Sequence, residues 1–500
     1  MVDRVATIQV LPDDALLLIF SFHRLLSSPS YLNPPVPAEW KWHVLAHVCQ
    51  RWRYLIFSSP RHLGLRLLIS DRNRHRAPVD CWPPFPISIW FGLSDLSPND
   101  EDRVIEALKH PDRIHEIHFN VSRSMLEKST AWVEHSFPAL ECLFLRPSSP
   151  NTIVLPNGFL GGSTAAPRKL RHFGLSHISF PTLPQFLLSS PNLVSLELNP
   201  DSNDMGSLLT YAFLAALSAT TQLEYLLIRN SKFYFSPAAW PYLEQRTAHS
   251  TPSTRDPIVL RSLIKFDFGG PSNILEDFVS RIDTPLLEQL YVYSDRLGLD
   301  IPQLSQFISK RVLMNSLPHR MSIFFDTHTM IIEYHFGHLP TRRGPILLKF
   351  DLRGYAMLEN WQASHVLHIC GQLSPFTSSV ERLGITVNPE KYSWQPMSSS
   401  ETERDAARWM ELLGSFKSVQ VLRLLCMPYD AGFGIALALE SSTRETAQEV
   451  LPVLRFVSIY ASHCLDIEWF IAARKRTGQP ITVYESDWKS DWDEPGDADN

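Results

Sequence analysis

The sequence predicts an α/β chain built in two parts: a small helical segment, then a long run of strand–helix units. Three observations predict this. Two short amphipathic helices can be read in the first 60 residues. An apolar pattern at the first, fourth and sixth positions of a short segment then recurs to the end of the chain. In several copies a proline stands two residues ahead of that pattern.

The first helix opens at Leu11-Pro12, where proline is tolerated because the first-turn amides have no helical partner. Asp13 and Asp14 place negative charge at its positive end. Leu16, Ile19 and Phe20 then fall on one face. In the second helix Leu45, Val48, Cys49, Trp52, Leu55 and Ile56 repeat the same spacing, with Gln50, Arg51 and Arg53 turned away. Helices this short need an outside surface to be stable. Periodicity alone would make them an N-terminal cap.

Their wording adds to that. Leu11-Pro12 before an apolar helix ending in Ile19-Phe20, then Val48-Cys49 with Trp52-Arg53, resembles the F-box. Ser59-Pro60-Arg61-His62-Leu63 and the later Trp82-Pro-Pro-Phe-Pro86 resemble its fungal, basidiomycete-like form, over residues 9–90. The departure is a proline-rich insertion at 24–39, longer than a compact F-box needs, where the prolines cannot continue a helix.

From residue 98 the second regime begins. Ser97-Pro98 opens a helix through Val104, Ile105 and Leu108, and a strand follows at Ile114–Phe119. Its pattern recurs at Leu140-Leu143-Leu145, Leu170-Phe173-Leu175, Leu193-Leu196-Leu198, Leu223-Leu226-Ile228, Leu263-Phe266-Phe268 and Leu287-Leu290-Val292. It continues at Leu347-Phe350-Leu352, Val380-Leu383-Ile385, Val419-Leu422-Leu424 and Leu454-Val457-Ile459, with a degenerate copy at Met321–Phe325. Helical patterns lie between, at 207–220, 273–282, 360–373, 401–416 and 465–476. Pro138, Pro191, Pro285 and Pro452 mark the switch, since proline ends a helix and favours extended backbone before itself.

A strand–helix unit repeated in this way resembles the leucine-rich repeat, in which parallel strands line a concave face and helices cover the outside. The spacing here runs from 23 residues between Phe173 and Leu196 to 40 between Leu226 and Phe266, so the array is irregular, with inserted loops at 231–257 and 389–400. An ordinary α/β sheet satisfies the same alternation. Eleven similar strands exceed the usual 4–6 of one open sheet, which favours a solenoid. The expected organisation is an F-box-like helical domain at 1–65, a junction at 66–98, an irregular repeat solenoid at 99–485 closed by a strand at 480–484, and an acidic disordered tail at 486–500.

Composition narrows function by exclusion. Lysine and arginine total 46 against 52 acids, a formal charge of −6, which offers nucleic acid or an anionic membrane no global attraction. Six scattered cysteines fit neither a disulfide framework nor a zinc ribbon, and suit a reducing cytoplasmic or nuclear compartment. No secretory signal or membrane-length apolar run is present. The basic run 71–76 reads as a solvated junction loop.

Catalytic patterns are weak. His43 and His47 are four apart, but Val44 stands where a metalloprotease helix needs glutamate. His365, His368 and Cys370 lie close together, but the first two sit within an amphipathic helical pattern, and Gly161-Gly162-Ser163-Thr164 lacks the lysine of a phosphate-binding loop. The expectation is a non-enzyme with no catalytic residue, metal or cofactor.

By the F-box resemblance, Leu11, Pro12, Leu16, Ile19, Phe20, Val48, Cys49 and Trp52 would bind a Skp-type adaptor and, through it, a cullin scaffold. The chain would then be the substrate-recognition subunit of a cullin-type (SCF) ubiquitin ligase. Strand alternation turns another set to the concave face: Phe144, Arg146, Tyr225, Arg229, Tyr291, Tyr293, Asp351, Arg353, Arg423, Phe456 and Tyr460. Aromatics and arginines carry binding energy at interfaces, so these are the candidate contacts to a target protein. They are also ordinary strand residues. The alternative is a repeat scaffold or inhibitor with no ligase role, its N-terminal helices acting as a cap.

Overall fold

The structure, a computed structural model, describes residues 10–25, 45–59, 63, 66–70, 84–91, 96–121, 136–147, 153–161, 168–200, 210–230, 257–294, 299–310, 317–325, 329–341, 344–353, 362–387, 399–425, 450–459 and 468–485. The insertion beyond Leu25, the basic run 71–76, Ser163 and Thr164, most of the loops at 231–257 and 389–400, Tyr460 and the tail 486–500 lie outside them. The chain is mixed α/β with mostly parallel sheet. It divides into two compact units, Met1–Asn199 with Ala219–Thr221, and Pro200–Ser218 with Gln222–Asn500.

The first unit begins with α1 (Asp13–Leu25) and α2 (Gln50–Ser58). A parallel sheet follows: β1 (Leu67–Ile69), β2 (Ile87–Trp90), β3 (Ile114–Val121), β4 (Cys142–Pro147), β5 (His172–Ser176) and β6 (Ser195–Asn199). Each strand pairs with the next in sequence. α3 (Pro98–Leu108) precedes β3, with Ser97 as N-cap: its hydroxyl accepts from the Asp100 amide, as the Ser-Pro pair implies. α4 (Leu183–Leu188) precedes β6 and buries Leu183, Phe186 and Leu187. The region expected to be a junction, 66–98, holds β1 and β2. These strands are short, and their pattern is not that of the later copies.

The second unit starts with α5 (Tyr211–Ala219), β7 (Tyr225–Arg229) and β8 (Lys265–Gly269). It continues with α6 (Ser272–Arg281), β9 (Gln289–Ser294) and α7 (Pro302–Ser309). A meander follows: β10 (Pro318–Phe325), β11 (Thr329–Thr341) and β12 (Gly344–Arg353). The last part holds α8 (Gln362–Gln372), α9 (Ser374–Thr377), β13 (Arg382–Val387), α10 (Ser399–Ser415), β14 (Val421–Leu425), β15 (Phe456–Ile459), α11 (Glu468–Arg476) and β16 (Thr482–Glu485). Spatial order is β7-β8-β9-β12-β11-β10-β13-β14-β15-β16. Among the described residues only the meander pairs antiparallel, β11 with both β10 and β12.

The apolar rows run straight across the strands. In the first unit Ile117, Leu143, Phe173 and Leu196 are in register and all buried. In the second, Leu226, Phe266, Leu290 and Leu348 form one such row, continued by Tyr334, Met321, Leu383, Leu422 and Val457. Outside β3 and β12, whose copies begin within the strand, the first position of each copy lies ahead of its strand. Leu140, Leu193, Leu287 and Leu454 are buried there, each amide donating three residues back, to Phe137, Ser190, Thr284 and Leu451. The four prolines sit inside these turns, where a missing N–H costs nothing.

A second device recurs. The carbonyl just before one strand accepts from two consecutive amides of the next copy. Glu141 takes Arg171 and His172, Glu224 takes Ile264 and Lys265, and Glu381 takes Gln420 and Val421. Helices of the second unit are tied as well. The Glu276 carboxylate of α6 accepts from the Gln303 and Leu304 amides in the first turn of α7, at 2.6 and 2.9 Å. Gln372 of α8 accepts from the Ile301 amide and donates to the Leu299 carbonyl ahead of α7. These links satisfy polar groups at helix starts that would otherwise be orphaned.

Candidate interaction surfaces

At the N-terminus the structure separates the expected adaptor-binding set. Leu16 and Phe20 lie inside a core with Ala46, Leu55, Ile56, Leu63 and Phe85. Trp52 packs edge-on to Phe20 with ring centroids 4.8 Å apart. Leu11 is half-buried against the same core. Cys49 serves as the N-cap of α2, its sulfur accepting from the Trp52 amide at 3.5 Å. Pro12 is exposed just ahead of α1, and Ile19 and Val48 are exposed at 45% and 55%. They share that exposure with Val10, Leu18, Phe22 and Tyr54.

One link between the helices has no periodic signal. Arg51 turns from the apolar face, as its place on the helix predicts, and bonds the Asp13 carboxylate at 3.0 Å and the Leu11 carbonyl at 2.7 Å. Asp13 therefore serves the helix–helix contact as well as the helix end.

In the first unit the open side of the sheet is polar and ordered by register. Ser88, Glu116, Cys142, His172 and Ser195 form one row, and Trp90, His118, Phe144, Gly174 and Glu197 the next. The Ser88 hydroxyl donates to Glu116 at 3.2 Å, and Arg66 pairs with Glu116 and, at 3.6 Å, Glu141. Phe144 stacks on His118 with centroids 4.8 Å apart and lies over Gly174. A Cβ at Gly174 would fall 2.1 Å from that ring, so glycine is what admits the stack. Arg146 is exposed at the strand end.

His118 and Cys142 resemble a catalytic pair, Nε2 to Sγ being 3.2 Å. Burial pushes the thiol well above its ordinary range and the imidazole down to about 4. Both are neutral near pH 7, the opposite of the thiolate–imidazolium state that nucleophilic cysteines use.

In the second unit the aromatic and charged candidates form one cluster on the open side of β7, β8 and β9. The Tyr225 hydroxyl donates to Asp267 at 3.0 Å. The Lys265 ammonium sits 3.7 Å from Asp267, 5.0 Å from the centre of the Tyr225 ring and 4.6 Å from that of Tyr291. Burial raises the Asp267 carboxyl, opposed by Lys265 and by Tyr225, and burial followed by the Asp267 charge lifts Tyr291 to about 12. The Arg229 guanidinium lies 3.9 Å over the Tyr293 ring. It crosses Gly269, where a Cβ would meet its Cγ at 2.6 Å. Beside the cluster, Glu333 takes Lys349 at 2.7 Å, and contacts with His335 and Lys349 hold its carboxyl down to about 2 against burial.

No protein-family model matches the chain, and no curated protein matches it in sequence.

The remaining candidates are placed differently. Asp351 is buried at 5% and Arg423 at 8%. Phe456 is half-buried against Tyr484, with centroids 5.9 Å apart. Arg353 ends β12, opposite Thr329. Lys265, Asp267, Glu333, His118 and Glu116 were not among the expected contacts. The alternation rule would have found the first two, since β8 carries them on the same side as Tyr225 and Tyr291. Among the described residues no cluster of His, Cys, Asp and Glu could hold a metal ion, and no helix is long and apolar enough to cross a membrane. His368 is exposed and His365 half-buried on α8, while Cys370 is buried beside Tyr334 and Thr377.

Proposed function

We propose that this chain is the substrate-recognition subunit of a cullin-type (SCF) ubiquitin ligase. In this reading the N-terminal helices are an F-box that docks on a Skp-type adaptor. The strand–helix units form an irregular leucine-rich-repeat solenoid whose open, concave face holds a target protein. The protein makes and breaks no covalent bond. It raises the effective concentration of target lysines near a ubiquitin-charged enzyme carried elsewhere on the cullin. It works in the cytoplasm, the nucleus or both.

The observation that carries the reading is the pairing of sequence motif with exposure at α1 and α2. Within a short stretch that already has a closed core, Leu18, Ile19, Phe22, Val48 and Tyr54 remain on the surface. Exposed large apolar side chains mark interaction sites where they lie in one patch. Sequential strand order in the first unit, and in the second outside the β10–β12 meander, supports the solenoid, because an open doubly wound sheet reverses its order at a switch point.

Burial of Leu16 and Phe20 in the chain's own core is what the cap-and-scaffold alternative asks for, so the exposed positions must decide. The test is co-purification of the full-length chain with a Skp-type adaptor, beside an Ile19→Asp/Val48→Asp variant. Capture by the wild type and loss in the variant, with both melting alike, is the expected result. No capture by the folded wild type would leave the scaffold with its helical cap.

A further inference from the structure

Two exposed positions of the proposed docking edge stand on short lead-ins rather than inside the helices. Pro12 precedes α1, and Val48 lies in the turn ahead of the Cys49 cap of α2. Two arginines of α2 fasten these lead-ins. Arg51 donates through Nε to the Asp13 carboxylate at 3.0 Å. One of its terminal nitrogens is shared between that carboxylate and the Leu11 carbonyl, the latter at 2.7 Å. The Arg53 Nε donates to the Ala46 carbonyl at 3.1 Å.

The Arg51 and Asp13 side chains are 37% and 56% exposed, and an ion pair this open to water contributes little to stability. The core of Leu16, Phe20, Leu55 and Ile56 joins the helices without it. Its value changes when a partner covers it. Excluding water lowers the local dielectric, and the same pair at the same distance attracts more strongly. That gain offsets the lost hydration only where the hydrogen bonds are well made. A guanidinium fork with two acceptors meets the condition, and a lysine ammonium does not.

We propose that Arg51 and Arg53 are positioning residues for adaptor docking. They hold the lead-ins 10–12 and 46–48 so that Pro12 and Val48 stand where the adaptor meets them, and the Asp13–Arg51 pair tightens as docking excludes water. The inference rests on the substrate-receptor reading and deepens it, by naming residues that act through the segments they hold.

The test is titration calorimetry of the full-length chain with a Skp-type adaptor, with the melting temperature of each variant measured alongside. Binding by the wild type checks the substrate-receptor reading, and the variants check the positioning role. Arg51→Lys keeps the charge and loses the fork. It should weaken binding about tenfold, or about 1.4 kcal/mol, while melting within about 3 °C of the wild type. Adding Asp13→Asn to it should weaken binding no further, because both changes break one pair. Arg53→Lys, with a single bond at stake, should weaken it less. Variants that bind like the wild type would overturn the inference and leave the substrate-receptor reading standing. Losses of affinity matched by large drops in melting temperature would also overturn it, since the arginines would then serve the fold alone. No binding by the folded wild type would overturn both.

Discussion

The helical N-terminus and the open sheet faces treat their surfaces in opposite ways. On α1 and α2, large apolar side chains stay in water beside a finished core: Ile19 and Val48 are exposed while Leu16 and Phe20 are buried. On the sheets the outward side chains are polar or aromatic and held by one another. Phe144 stacks on His118, Arg229 lies on Tyr293, and Tyr225 bonds Asp267. The first surface gains by being covered with something apolar. The second is already held in place by its own contacts.

Stability should divide along the same line. Leu16→Ala or Phe20→Ala should cost about 2–5 kcal/mol, because each empties a closed core. Ile19→Ala and Val48→Ala should stay within about 0.5 kcal/mol. Urea unfolding of the four variants measures this; a large loss at Ile19 would mean the exposed edge is part of the fold.

The sheet face should be less forgiving of a small change. Gly174→Ala should cost about 1–3 kcal/mol, since its Cβ would displace the Phe144 ring. In a double-mutant cycle Phe144→Ala should remove much of that cost. Additive losses would show that the stack does not set the requirement for glycine.

Acid should separate the two sheet faces. Burial lowers His118, His115 and His172, so the folded first unit holds them neutral. Below their ordinary value of 6.5 the unfolded chain binds protons that the folded chain does not. Stability is therefore full above pH 6.5 and falls through a window that ends near 4 for His118. The loss should be on the order of 3 kcal/mol for His118. In the second unit Glu333 works lower: its stabilisation is present above 4.5 and lost as pH falls toward about 2. Melting temperatures across this range, with His118→Phe and Glu333→Gln, should move in those separate windows.

Much of the fold was legible because the repeat pattern is punctuated. Each apolar triplet led to a strand, and Pro138, Pro191, Pro285 and Pro452 marked the turns before four of them. β11 was missed although Met330, Ile332, Tyr334 and Phe336 alternate strictly and are all buried. It runs antiparallel and lacks the lead-in position, so a search for the recurring pattern passes over it. β1 and β2 are too short to show a period. At the N-terminus periodicity placed Leu16, Ile19 and Phe20 on one face. A closed core takes up only part of so broad a stripe, and sequence spacing alone does not say where burial stops. On the sheet the alternation gives the side of each residue, Lys265 and Asp267 included, while the Glu333–Lys349 pair emerges only once the strands are in register.

On the proposed function the exposed edge of α1 and α2 is a docking surface. Hydrogen–deuterium exchange of the full-length chain, with and without a Skp-type adaptor, tests it most directly. Added protection is expected in Asp13–Leu25 and Gln50–Ser58, lost in Ile19→Asp/Val48→Asp, with the sheet strands unchanged. Unaltered exchange in both helices at saturating adaptor would contradict it.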